Sequence, residues 1–170
     1  EIERVRAAMA GAPVAKAPVA LIFDYVAKWI TDIQPQGEDL DYFELVLEAY
    51  GALRRRGLDV DVVGPDASLD GYKVILAPSL PIVSRERVQR LAAVDAELIV
   101  GPRTGSKTHT LQIPEGLPPG PLRARLPLKV TRVESLRPGW VEPGRFPVTR
   151  WLEHVETEPE TETLAATDSG

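Results

Sequence analysis

The uninterrupted apolar run Val19-Ala20-Leu21-Ile22-Phe23, closed by Asp24, is the feature that most restricts what this chain can fold into. A run of that length without polar alternation belongs to a strand covered on both faces, as in a parallel sheet. A polar loop follows through Gln34-Pro35-Gln36-Gly37, and then Phe43, Val46, Leu47, Tyr50 and Leu53 recur at the spacing of one helical stripe. Asp41 and Glu44 form a capping pair at the start of that helix, and Gly57 is its stop. Leu58–Val63 alternates apolar and acidic residues, which predicts a second strand nearer the sheet edge.

Tyr72–Ala77, closed by Pro78, predicts a third strand, and Leu98-Ile99-Val100 a fourth. Between them Ser84 opens a helix with Val88, Leu91 and Ala92 on one face. Strands alternating with helices through short links predict an α/β fold with a doubly wound parallel sheet and right-handed crossovers. Sites in such sheets lie at the carboxyl ends of the strands.

The two ends read differently. Ile2, Val5 and Met9 are at helical spacing before Gly11-Ala12-Pro13, so residues 1–17 are expected to be a linker or helix end, with the fold starting near Pro18. From Gly101 to Pro147 several Pro and Gly residues, Pro118-Pro119-Gly120-Pro121 among them, predict long irregular connections. Leu128–Val133, Trp151–Val155 and Thr163–Ala166 are the strand candidates of this loop-rich part, and residues 167–170 read as a turn.

Composition removes several function classes. A length of 170 residues suits one domain, and an apolar share of 44% is enough for a core. No apolar stretch approaches the roughly 20 residues of a membrane span, so no membrane role is expected. Charged residues alternate with apolar ones from Glu1 to Arg6, unlike a signal peptide, and a cytoplasmic location is the expectation. The absence of cysteine excludes disulfides, thiolate nucleophiles and cysteine metal sites. Residues 151–170 hold six acids and no Lys or Arg, which leaves 19 acids against 20 bases in the rest. A body so nearly neutral lacks the basic face of a nucleic-acid binder, and Arg54-Arg55-Arg56 reads as the last turn of a helix.

The candidate chemistry is thin. Gly101 to Thr108 approaches a phosphate loop, but Ser106 replaces the glycine before Lys107, and no helical stripe follows. The same residues give Gly101-x-Arg103-x-Gly105, the spacing of a nucleophile elbow, with an arginine that cannot act as the nucleophile. His109 and His154 are the only histidines, and without a ligand cluster they read as surface or loop residues. Asp24, Asp32, Asp39 and Asp41 suit a solvated, helix-capping turn better than a carboxylate pair. Tyr25, Trp29 and Ile30 place much apolar surface in the loop after the first strand; it either folds back over the sheet or anchors a subunit contact.

Taken in order, Val19–Asp24 with Trp29, Gln34-Pro35-Gln36, Tyr50–Leu53, Gly71–Pro78 and Gly101–Lys107 resemble the middle, trimerisation domain of glycoside hydrolase family 42 β-galactosidases, over Val19 to Gly170. The resemblance implies a flavodoxin-like, class I glutamine amidotransferase-like sheet without the active thiol, and a loop-rich, strand-containing C-terminal part. It also implies catalytic glutamates in a preceding TIM barrel, a β-rich domain after, and assembly of the parent enzyme into a homotrimer. Residues 18–170 are then the trimerisation domain, and no cofactor is expected. One departure is Val94-Asp95-Ala96, where the family usually has a Gly-Gly pair. From their positions after the first and fourth strands, Tyr25, Trp29, Gln34, Arg103 and Lys107 are the candidate contacts with a neighbouring subunit or the barrel. The competing expectation is a free-standing hydrolase or amidotransferase, for which Ser79, Ser84 and Ser106 are the available hydroxyls, none in a Gly-x-Ser-x-Gly setting.

Overall fold

The computed structural model describes residues 2–11 and 15–168. Four parallel strands, β1 (Val19–Ile22), β2 (Val60–Val63), β3 (Val74–Ala77) and β4 (Glu97–Val100), form a sheet in the order β2-β1-β3-β4. The expected apolar run is the buried centre: all four residues of β1 are covered, and β2 lies at an edge as its alternation predicts. Successive β1 side chains serve opposite faces. Ala20 and Ile22 join one core with Leu69, Ile75, Leu80, Leu91 and Leu122; Leu21 joins another with Ala27, Tyr42 and Val46. Each fully buried Leu or Ile contributes about 1.5–3 kcal/mol relative to exposure.

Helices cover both faces. On one side lie α2 (Tyr25–Ile33) and α3 (Tyr42–Arg55), on the other α4 (Arg85–Ala93) and a 3-10 turn over Gly120–Ala124, while the N-terminal α1 (Ile2–Ala8) buries nothing. The caps are those the sequence shows. The Asp41 carboxylate accepts from Glu44 N at 2.9 Å, Ser84 Oγ from Arg87 N at 3.3 Å, and Gly57, at φ +76°, closes α3.

Helix α2 occupies the apolar-rich segment after β1 expected to be a loop. The Asp24 side chain caps it, accepting from Val26 N at 2.9 Å, and its inner face is Ala27, Ile30 and Thr31. Pro35 ends it, because the residue before a proline is pushed out of helical geometry. The stripe expected to bury α3 is divided: Val46 is inside, whereas Phe43 and Leu47 face out at 42% and 65% exposure, and Tyr42, outside that stripe, is buried instead. Asp24 caps a helix but is buried rather than solvated, and it pairs with Arg87 at 3.1 Å.

In the C-terminal part β5 (Leu128–Ser135) pairs antiparallel with β6 (Trp151–Thr157), with an irregularity between Val130 and Arg132. The third strand expected over Thr163–Ala166 does not form; the segment has no regular structure, and its neighbour Thr167 makes an isolated bridge to Gly144. The Val94-Asp95-Ala96 junction is a short link in which the carbonyls of Val94 and Ala96 accept from the Arg125 guanidinium at 3.3 and 2.8 Å. The expected linker and terminal turn fall partly outside the described residues, at 1, 12–14 and 169–170.

Candidate functional site

Two features stand at the carboxyl edge of the sheet, each grown from one strand. After β1, the outer face of α2 carries Tyr25, Trp29 and Ile33, one helical turn apart and 60%, 57% and 68% exposed. Ring contacts extend this face to α3. Tyr25 and Trp29 lie 6.3 Å apart, Phe23 and Tyr25 4.8 Å, and Phe23 and Phe43 5.7 Å between centroids. With Leu47 and Ile33 they form an exposed apolar ridge, with the Lys28 ammonium 5.6 Å from the Phe43 ring centroid, the kind of patch that marks an interaction surface.

After β4 the chain turns through an elbow at Arg103, which has φ +62° and is 3% exposed. The two glycines of the loop are there for space. A Cβ on Gly101 would sit 1.9 Å from the Pro78 carbonyl oxygen, and one on Gly105 would sit 2.4 Å from that of Pro119. The Arg103 side chain runs inward and donates to the carbonyls of Gln34 at 2.9 Å and Pro35 at 3.3 Å, so a cation meets the negative end of α2. Its backbone N–H donates to Glu153 Oε1 at 2.7 Å, the same oxygen that accepts from Trp151 Nε1 at 2.9 Å. Burial lowers the Arg103 pKa from its ordinary value, and the Glu153 charge opposes that shift. Lys107 is lowered by burial first and then by the Arg103 charge.

These contacts decide between the readings of the loop. The amides of Gly105, Ser106 and Lys107 donate to the carbonyls of Leu80, Arg103 and Pro81, so they form no ring of free donors for a phosphate. The elbow geometry is present, with arginine at the nucleophile position. Of the three serines, Ser84 is engaged as a helix cap, Ser79 is buried at 4% exposure, and Ser106 Oγ has no hydrogen-bond partner. His154 Nε2 lies 2.7 Å from Glu134 Oε1, and His109 is exposed. No group of three or more metal-binding side chains occurs among the described residues.

Of the five residues singled out by position, Gln34 and Arg103 are joined directly and Lys107 lies close to Arg103, while Tyr25 and Trp29 stand on the separate outer ridge. Phe43 and Leu47 belong to that ridge and were missed, because their helical spacing reads equally well as core.

A family model described as "Beta-galactosidase trimerisation domain" matches residues 17–169. The chain belongs to the β-galactosidase trimerisation-domain family. Within that family it is 57% identical to a β-galactosidase of Thermus thermophilus over 155 residues, 88% of this chain and 24% of the relative. It is 53% identical to β-galactosidase BgaA of a Thermus species over 169 residues, 96% of this chain and 26% of the relative. Among solved structures, β-galactosidase from the psychrophilic Marinomonas ef1 superposes with a TM-score of 0.88 at 36% identity, covering 99% of this chain and 27% of that one. The trimerisation domain thus spans about a quarter of these relatives' length.

Proposed function

We propose that this domain is a non-catalytic assembly module that holds a longer β-galactosidase chain in a homotrimer. The observation that carries the proposal is the exposed ridge of Tyr25, Trp29, Ile33, Phe43 and Leu47 in a member of a trimerisation-domain family. A three-fold ring needs two different patches on each subunit, one seated on the other. The ridge serves as one patch; the region of Gln34, Arg103 and Lys107 serves as the other.

In the parent enzyme, residues 1–17 lead in from a TIM barrel that carries the reactive carboxylates, and residues 18–170 form the assembly domain. The exposure of every residue of α1 supports a connecting role for the first segment. The sheet order β2-β1-β3-β4 and the elbow at Arg103 support a flavodoxin-like, glutamine amidotransferase-like ancestry in which arginine has replaced the nucleophile. No helix among the described residues is long and apolar enough to cross a membrane, and we take the parent enzyme to be cytoplasmic.

Sedimentation velocity on the full-length chain tests the proposal. Three copies are expected across a wide dilution range, with Trp29→Ala dissociating at higher protein concentration than the wild type. A strictly monomeric or dimeric wild type would refute it.

A further inference from the structure

Beside the elbow lies a pocket of about 190 Å³ lined by Arg103, Lys107, Ile113, Leu117 and Val133 among others. Lys107 is 9% exposed, and among the described residues its ammonium has neither a hydrogen bond nor an ion pair. Ser106 Oγ and Arg103 Nε are buried atoms with no hydrogen-bond partner, sealed behind the lining. The Lys107 stem is buried while its ammonium still reaches water, so a cation without a counter-charge is held at the mouth of the pocket and open to a carboxylate.

The charges set the valence of what is missing. Arg103 and Lys107 face Glu153, and the further lining cation Arg132 is neutralised by Glu134 at 2.7 Å, which leaves an excess of one positive charge. A single carboxylate balances it; a phosphate dianion would bring its second charge against Glu153. Size and rim narrow the source. The volume is below the ~300–1,000 Å³ typical of small-molecule sites. The rim residues Ile113, Leu117 and Val133 are 78%, 45% and 48% exposed, and only a polypeptide surface would cover them while delivering the charge.

We propose that this pocket is the socket for one Asp or Glu carboxylate of a neighbouring copy of the same chain, seated against the Lys107 ammonium. The proposal rests on the homotrimer put forward above. It makes the elbow side of the domain a charge-specific half of the head-to-tail contact, complementary in kind to the apolar ridge.

Carbodiimide treatment of the full-length enzyme tests it, because the reagent condenses an amine with a touching carboxylate into an amide. In isotopically mixed trimers, mass spectrometry should find Lys107 joined to an acid of a different subunit. Lys107→Met should abolish that link and raise the trimer dissociation constant at least about tenfold, as expected when one partner of a buried charge pair is removed. A wild-type trimer in which Lys107 stays uncoupled, couples only within its own chain, or is shielded from amine acylation by added acetate would overturn the proposal. So would a Lys107→Met trimer as tight as the wild type. In each of these cases the trimer itself stands, whereas a wild type that never associates removes the trimer and the socket together.

Discussion

The helices on the two sides of the sheet solve the same packing problem and differ in what they leave outside. Helix α4 buries Leu91 and turns Arg85, Glu86 and Gln89 to solvent, the ordinary one-sided pattern. Helices α2 and α3 bury Ala27, Ile30, Tyr42 and Val46, yet their outer faces are Tyr25, Trp29, Ile33, Phe43 and Leu47. Packing on the sheet requires one apolar face per helix. The second apolar face on the α2–α3 side is therefore surplus to folding, and the proposed subunit contact would give it a purpose.

The largest effect that sharpens this contrast is on the α4 side. Leu91→Ala should lower stability by about 2–5 kcal/mol in chemical denaturation, while the subunit contact in the surviving folded protein keeps its strength. Next comes the inner face of α3. Tyr42 is held neutral by burial, its pKa pushed from 10.0 up to about 12, and its hydroxyl accepts from Asp24 N at 2.8 Å. Because the folded value is raised, this contribution is complete below pH 10.0 and is lost as pH climbs through about 12. A denaturation series should show a loss on the order of 2–3 kcal/mol across that window, and Tyr42→Phe should flatten it.

On the outer ridge Trp29→Ala should weaken association by about 2 kcal/mol, near thirtyfold. The same variant should change the stability of the folded subunit by less than about 0.5 kcal/mol. An equal cost to folding and association would erase the distinction between the two helix faces. The smallest effect belongs to the charged surface of α4. Asp66 is lowered chiefly by its hydrogen bond from Arg87, with Arg90 adding to the shift. Its contribution is present above the ordinary value of 3.8 and fades as pH falls through the lower folded value. The carboxylate is 66% exposed, so Asp66→Asn should remove under about 1 kcal/mol of acid-sensitive stability.

What the sequence made legible follows local physics. The buried β1 run, the edge position of β2, the caps at Asp41 and Ser84 and the stop at Gly57 all act within a few residues. Helix α2 was legible in the sequence, and reading its segment as a loop was mistaken: Tyr25, Val26, Trp29, Ile30 and Ile33 fall on one broad apolar arc with Lys28 and Asp32 outside it, and Asp24 supplies the cap. Thr163–Ala166 has strand-like residues but forms no ladder with a neighbouring strand, and a strand exists only in a ladder. The spacing at 101–105 was visible, yet the work of Arg103 was not. It depends on carbonyls at Gln34 and Pro35, which only folding brings near.

The close approach of Gly101 to Pro78 and of Gly105 to Pro119 bears on how variation in this domain should be interpreted. Both positions would tolerate almost no replacement in a saturation screen, a pattern ordinarily taken to flag reactive groups. Here the intolerance would report crowding between chain segments. A loop can thus keep the mutational signature of an active centre through steric confinement alone.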